Sequence, residues 1–347
     1  MIMSIPESSR ASKNRGVSLA EIASEAGVSR MTASRVLRGA DGYSDSTRDK
    51  VLAVAHRLGY VPNRIAASLG SEASNSLVAI ALPTLARELY GQILEGLESK
   101  LAALGYQPII GVVGYDDDAE FQWLNSALAW RPCGLIVTGR QRCSANKTLL
   151  ASVSVPVLEL WNLGNGAVDQ PAGSNLMVGI DHHAVGYQMG QHLAGRYRGK
   201  AGYVGVRQGD TTLGQDRLLG FEKGYGSRAE AVLLNDKSSF YAGYYGAEQL
   251  LSAHPSTRVL YFLDDNMAVG ALMFCQAKGI KIPGDVAIAG FGGLDVGSVL
   301  PARLTTTQIR RLKVGKQAAE NLIKRVTGAP VPMIQDIGFE LEKGETA

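Results

Sequence analysis

From Ser76 onward, short apolar runs alternate with amphipathic stretches of helical period, and the alternation occurs twice over. Runs at 77–82, 108–113, 134–137 and 155–160 are separated by helical patterns at 90–104 and 121–130. The pattern restarts at Met177-Val-Gly-Ile180, continues through a helix reaching Leu193, and adds runs at 201–206, 231–234, 259–263 and 286–289. Strands that alternate with helices form parallel sheets covered on both faces, so each series predicts one Rossmann-like subdomain of a two-lobed α/β body. Ligands of open parallel sheets sit beyond the carboxyl ends of the strands, and in a two-lobed body those ends face each other across a cleft.

The first 70 residues read differently. Leu19, Ile22 and Ala23 recur at helical spacing behind Ser18, which predicts a short capped helix over about 18–25. Gly27 permits the positive φ of a tight turn, and Ser29 caps a second helix, 30–37, that buries Ala33, Val36 and Leu37. Ser29, Arg30, Met31, Thr32, Ser34 and Arg35 are then free to meet base edges and phosphates in a major groove, as the second helix of a helix-turn-helix does. Ser46 ahead of Asp49 predicts a third helix with Val51, Leu52, Ala55 and Leu58 as its apolar stripe, ended by Gly59 and Pro62. Residues 1–70 carry ten Lys/Arg against six Asp/Glu, while the whole chain is only +3, so the basic excess lies where phosphate contacts are needed.

With these residues in view, the chain resembles the lac repressor family. The likeness rests on Ala26-Gly-Val-Ser29, Thr32, Ser34-Arg-Val-Leu37 and Leu58-Gly-Tyr-Val-Pro-Asn-Arg64 in the head. It continues through Arg217-Leu-Leu-Gly-Phe221, Asp265-Asn-Met-Ala-Val-Gly270, Ile282-Pro-Gly-Asp-Val-Ala-Ile-Ala-Gly-Phe291 and Leu304-Thr-Thr-Thr307. Within the family it is similar to repressors of gluconate utilisation through Arg30-Met-Thr32, Arg38, Val157-Leu-Glu-Leu160, Asp295-Val-Gly and Asp336-Ile-Gly-Phe339.

Residues 1–15, polar and without an apolar period, lie outside the resemblance and read as a loose arm, while the resemblance implies a helix-turn-helix head (16–62), a hinge (63–75) and a periplasmic-binding-protein-like body (76–343). Its first lobe would comprise about 76–177 and 308–332, and its second about 178–307 and 333–343. It implies a homodimer on palindromic operator DNA, with Asn63, Arg64, Ala66 and Leu69 of the hinge in the minor groove and Leu69 as the wedge. After Leu341 there are no leucine heptads of the kind that join lac repressor dimers, which predicts dimers rather than tetramers.

Polar residues following strands are the candidate effector contacts: Arg140, Glu159, Trp161, Asp181, Arg217, Asp264 and Asn266, joined by Tyr90 at the start of the first body helix. The resemblance places Arg217 at the arginine that grips the ligand, and a guanidinium forks to a carboxylate or to vicinal hydroxyls. Trp161 offers a flat apolar wall or a core position. Where relatives that bind neutral sugars often carry an Asp after the Gly-Phe pair, this chain has Gly290-Phe-Gly-Gly-Leu-Asp295, which favours an acidic ligand such as gluconate or a ketogluconate. A neutral sugar, or a corepressor that strengthens DNA binding, is the alternative.

Other classes fit less well. No G-x-G-x-x-G opens a helix after the first strand, and no nucleophile elbow, phosphate loop or metal-ligand cluster is present, so neither a cofactor nor an enzyme is expected. Cys133, Cys143 and Cys275 lack disulfide or zinc spacing and read as ordinary buried thiols. His182 and His183 diverge on a helix and read as surface residues. A solute-binding protein shares the body but needs a signal peptide and no head. The apolar runs are too short to span a bilayer, which points to a cytoplasmic protein without a membrane partner.

Overall fold

The computed structural model describes residues 17–60, 76–85, 87–138, 142–163, 175–207 and 211–347, apart from the side chains of Arg38, Thr211 and Thr212. The arm, Arg140 and the hinge residues Asn63, Arg64, Ala66 and Leu69 lie outside the described residues. Two units divide at Ser74 and Asn75.

The head contains α1 (Leu19–Ala26), α2 (Arg30–Arg38) and α3 (Asp45–Arg57). Ser18 and Glu21 close a reciprocal capping box on α1, and Gly27 turns the chain at φ 67°. Ser29 caps α2 by accepting from the Thr32 N–H at 3.0 Å. The cap of α3 is Ser44, which accepts from Thr47, rather than Ser46. Ser44 is the last extended residue, whereas Ser46 already lies within the first helical turn. Ile22, Ala23, Ala33, Val36, Val51, Val54 and Ala55 form the core, with Leu37 and Leu58 packed at its margin. Leu52, expected inside, is 44% exposed because the buried stripe runs through 51, 54 and 55, and position 52 is turned about 100° away from 51.

In the body, one six-stranded sheet has the order β11-β5-β4-β3-β1-β2 and a four-stranded sheet the order β7-β6-β8-β9. Every pairing within both is parallel. The first comprises β1 (Leu77–Leu82), β2 (Gln107–Val112), β3 (Gly134–Thr138), β4 (Val157–Asn162), β5 (Leu176–Ile180) and β11 (Ile334–Asp336). One of its faces packs on α4 (Glu88–Ala103) and α12 (Arg311–Val326), the other on α5 (Asp117–Ala129) and α6 (Ser144–Ser152). The second comprises β6 (Lys200–Val206), β7 (Ala229–Leu234), β8 (Thr257–Phe262) and β9 (Ala287–Ala289). It is covered by α7 (His182–Ala194) and α8 (Thr211–Tyr225) on one side, and α9 (Phe240–Ala253) and α10 (Asp265–Lys278) on the other, with a short α11 (Asp295–Ser298) after β9.

The lobe boundaries differ from the sequence expectation. The run at Met177 is β5 of the first sheet, paired with β4, and β11 returns beside it, so residues 177–180 and 334–336 belong to the first lobe. An apolar run carries no record of which parallel neighbour it will choose. Beyond β11 the chain crosses again, and β12 (Glu340–Glu342) pairs antiparallel with β10 (Thr306–Gln308). The second lobe extends past residue 343, since Thr346 is buried and bonded to Ile288 and Thr305.

Helices α7 and α8 lie unusually close. A Cβ on Gly186 would stand 1.9 Å from the Arg217 carbonyl oxygen, so only glycine lets α8 approach there. That contact sets two residues of the cleft, His182 and Arg217, side by side.

Candidate functional site

The carboxyl ends of β4, β5, β8 and β9, together with α8 after β6, bring Trp161, His182, Arg217, Asp264 and Phe291 together. Strand parity alone would direct Trp161 to the α5/α6 face, with Glu159. Instead Trp161 adopts φ 86°, and its ring joins Leu158 and Leu160 on the α4/α12 side. A positive φ is costly for a large side chain. It is accommodated opposite Gly179, where a Cβ would lie 2.4 Å from the Trp161 backbone. The indole meets the His182 ring edge-on at 5.6 Å and the Phe291 ring at 6.5 Å.

Arg217 is 2% exposed. Its Nη1 lies 2.8 Å from His182 Nδ1, its Nη2 donates to the Leu263 carbonyl at 3.0 Å, and its guanidinium carbon stands 3.8 Å above the Phe291 ring centre. Nε is buried without a hydrogen-bond partner, and among the described residues no carboxylate lies within ion-pair distance of this guanidinium. The arginine therefore brings into the interior a positive charge that faces a ring, an imidazole lone pair and a carbonyl rather than a carboxylate.

His182, expected on a helix surface, is buried at the start of α7. Burial holds its pKa well below the ordinary histidine value, and the Arg217 charge pushes it in the same direction. The imidazole is thus neutral in the fold but able to take a proton once unfolded. Because its folded pKa is depressed, the associated stability is complete above about pH 6.5 and is lost as pH falls below it. His182→Gln is expected to flatten this loss in thermal unfolding between pH 7 and 5. Asp265 acts oppositely in the same window. Burial raises it to about 7 against hydrogen bonds from Thr306 and Leu294, so its contribution favours the fold as pH falls from 7 toward 4. Comparing variant with parent isolates the histidine, and identical pH slopes would contradict the assignment.

Beside the Phe291 ring a small pocket opens between the lobes, lined by Arg87, Glu88, Asp264, Asn266, Gly292 and Arg311. Asp264 caps α10 through the Met267 N–H at 3.1 Å, accepts from Ser238 Oγ, and accepts from Arg87 Nη2 at 3.0 Å across the lobes. Arg311, at the start of α12, reaches the carbonyls of Gly292 and Gly293 while its Nε donates to Gln92 on α4 at 2.9 Å. From the other side Asp265 holds the same loop through the Leu294 N–H at 2.7 Å.

Of the residues expected from sequence, Asp264 and Asn266 line this pocket, and Trp161 and Arg217 lie around and beneath the Phe291 ring. Tyr90 is buried in the first-lobe core. Asp181 caps α7 through the Ala184 N–H at 2.9 Å. Glu159 stands on the opposite face of the first sheet, where it accepts from Asn175 and lies 3.8 Å from Arg142, because in a strand it alternates with Leu158 and Leu160. Arg87 and Arg311 were not singled out from sequence, and His182 was read there as a helix-surface residue. Arg87 was detectable as the basic residue just ahead of the first body helix. Of the three cysteines only Cys275 is buried, while Cys133 and Cys143 are half-buried, and all three are free.

On the head, Arg30, Met31 and Arg35 are exposed along one side of α2, Met31 at 66%. Thr32 and Ser34 are half-buried beside them, and the Ser29 hydroxyl is engaged in the cap. No helix among the described residues is long and apolar enough to cross a membrane.

A helix-turn-helix head joined to a two-lobed body with an interlobe pocket defines the class of DNA-binding regulators with a sugar-binding-type sensor. Residues 18–63 match the model of bacterial regulatory proteins of the lacI family, and residues 75–338 match that of periplasmic binding proteins and the sugar-binding domain of the LacI family. The chain is 32% identical to the HTH-type transcriptional regulator GntR of Escherichia coli K12, over 94% of this chain and 97% of that one. It is also 32% identical to the regulator of the same name from Pseudomonas aeruginosa, over 99% and 100%. A crystal structure of a LacI-family regulator from Silicibacter pomeroyi superposes with a TM-score of 0.85 at 31% identity, covering 95% of this chain and 99% of that one. The chain belongs to the LacI family of transcriptional regulators.

Proposed function

We propose that the chain is a homodimeric repressor that holds a palindromic operator and is released by a small polyhydroxy acid of the gluconate class. The observation that carries the ligand class is the uncompensated positive charge of Arg217 beneath Phe291, next to a pocket lined by two further arginines. Such an environment favours an anion. Asp264, Glu88 and Asn266 supply acceptors for hydroxyl groups, and the Phe291 ring supplies an apolar face for C–H surfaces. The names of the similar regulators agree with the likeness to gluconate-utilisation repressors.

Dimerisation is supported by two exposed apolar strips on the body. Ile110 and Val112 lie on edge strand β2, and Phe240, Tyr241, Tyr245 and Met273 lie on α9 and α10. Large exposed apolar side chains in groups mark contact surfaces.

Selection of bound duplexes from a random pool should recover a palindromic site, with light scattering giving the mass of a dimer. Millimolar D-gluconate should then release the selected duplex while D-glucose should not. Retention that no sugar acid weakens, or that sugar acids strengthen, would refute release by this class of ligand.

A further inference from the structure

We propose that the second lobe carries a second ligand site, a preformed cavity between α8 and the carboxyl ends of β6 and β7 that takes a compact apolar carboxylate. The site is separate from the interlobe pocket and does not depend on how that pocket is read.

The cavity measures about 140 Å³. Tyr203, Val206 and Leu263 are buried and form its floor, Leu218 and Leu233 are half-buried and form its walls, and Arg207 and Gln215 are exposed at its rim. The floor is already in place. The Tyr203 hydroxyl donates to the Gly214 carbonyl at 3.3 Å, and the Tyr203 ring meets that of Tyr261 edge-on at 5.9 Å. A Cβ on Gly214 would stand 3.0 Å from the Leu263 side chain and 3.2 Å from the Tyr203 hydroxyl, so the glycine keeps α8 close against both.

Such a floor holds water poorly. A buried water needs about two to four polar partners, and the Tyr203 hydroxyl already gives its proton to Gly214. An apolar cavity of roughly 150 Å³ accepts a six-membered hydrocarbon ring, which sets the size of the group that fits. A sugar or sugar acid would instead turn its hydroxyls onto Val206, Leu233 and Leu263, where they would be desolvated without partners. The rim differs from the floor. Among the described residues neither the Arg207 guanidinium nor the Gln215 amide has a hydrogen bond or an ion pair. A carboxylate attached to an aromatic or branched aliphatic body would emerge between these two side chains, where Arg207 offers a fork and Gln215 an amide N–H. The arrangement selects an acid whose charge and apolar body lie at opposite ends.

Isothermal titration of the full-length chain with benzoate and its neutral isostere benzamide tests the site. The parent should bind benzoate at one site per chain with a roughly millimolar Kd, the scale of a ligand with so few atoms. It should prefer benzoate to benzamide by about threefold to fivefold, as expected of a solvent-exposed ion pair. Arg207→Gln alters an exposed side chain and should remove that preference while leaving benzamide affinity unchanged. Leu218→Phe places a ring in the cavity from α8 and should abolish binding of both probes. Should that variant not fold, Arg207→Gln still decides. The site is overturned by a parent that binds neither probe up to about 20 mM or binds both equally. Parent-like benzoate binding by folded Leu218→Phe, or an undiminished preference in Arg207→Gln, overturns it as well.

Discussion

Replacing Arg30, Met31 and Arg35 together by alanine is expected to lower operator affinity by at least about 100-fold, since each base or phosphate contact is worth roughly 1–3 kcal/mol. The fold of the head should survive the change. All three side chains point away from the core, and Ala33 and Val36, which anchor α2, remain in place. Alanine is the best helix former, and the caps at Ser29 and Gly39 are untouched. Single replacements separate the roles. Arg30 and Met31, near the start of α2, should alter which sequences are preferred, while Arg35 should weaken all duplexes alike and reduce the salt slope by about one. Fluorescence anisotropy at several salt concentrations measures both, and parent-like binding by the triple variant would remove α2 as the reading helix.

The head was legible almost to the residue because its signals are local. Ser18, Gly27 and Ser29 act on neighbours within one turn, and the apolar spacing fixes which face is buried. Where one local signal outran another, as with Ser46 against Ser44, the error was two residues. The body was legible as alternating strands and helices but not as a sheet order. Whether Met177 pairs with the first or the second sheet depends on contacts with Leu158 to Asn162 and with Ile334, and period-two patterning cannot record them. The cleft was legible only in part for the same reason. Asp264 and Asn266 follow a strand and point where such residues usually point. Trp161 reaches the cluster by a positive φ, and His182 is buried by the close packing of α7 and α8. Arg311 comes from a helix some 220 positions beyond its partner Gln92.

Arg217→Met is expected to abolish the effector-induced rise in unfolding temperature while leaving operator retention intact, giving a repressor that the ligand no longer releases. The affinity for gluconate should fall by at least about tenfold, and by more than the affinity for a neutral polyol falls. The reason lies in what Arg217 holds. Its Nη2 fixes the Leu263 carbonyl at the end of β8, one residue ahead of the pocket residue Asp264, and its charge underlies the ring that forms the pocket wall. Its effect on stability separates this role from that of a structural pin. A buried cation without a carboxylate partner costs free energy, and replacing it by an apolar side chain of similar volume is often neutral or stabilising. The ligand-free unfolding temperature should therefore stay within a few degrees of the parent or rise. His182 provides a second readout. With the neighbouring charge gone, its depressed pKa should move back toward the ordinary value, and the acid-side loss of stability should shrink. A large fall in unfolding temperature with an unchanged ligand response would make Arg217 a scaffold residue, and the effector would then be held without it.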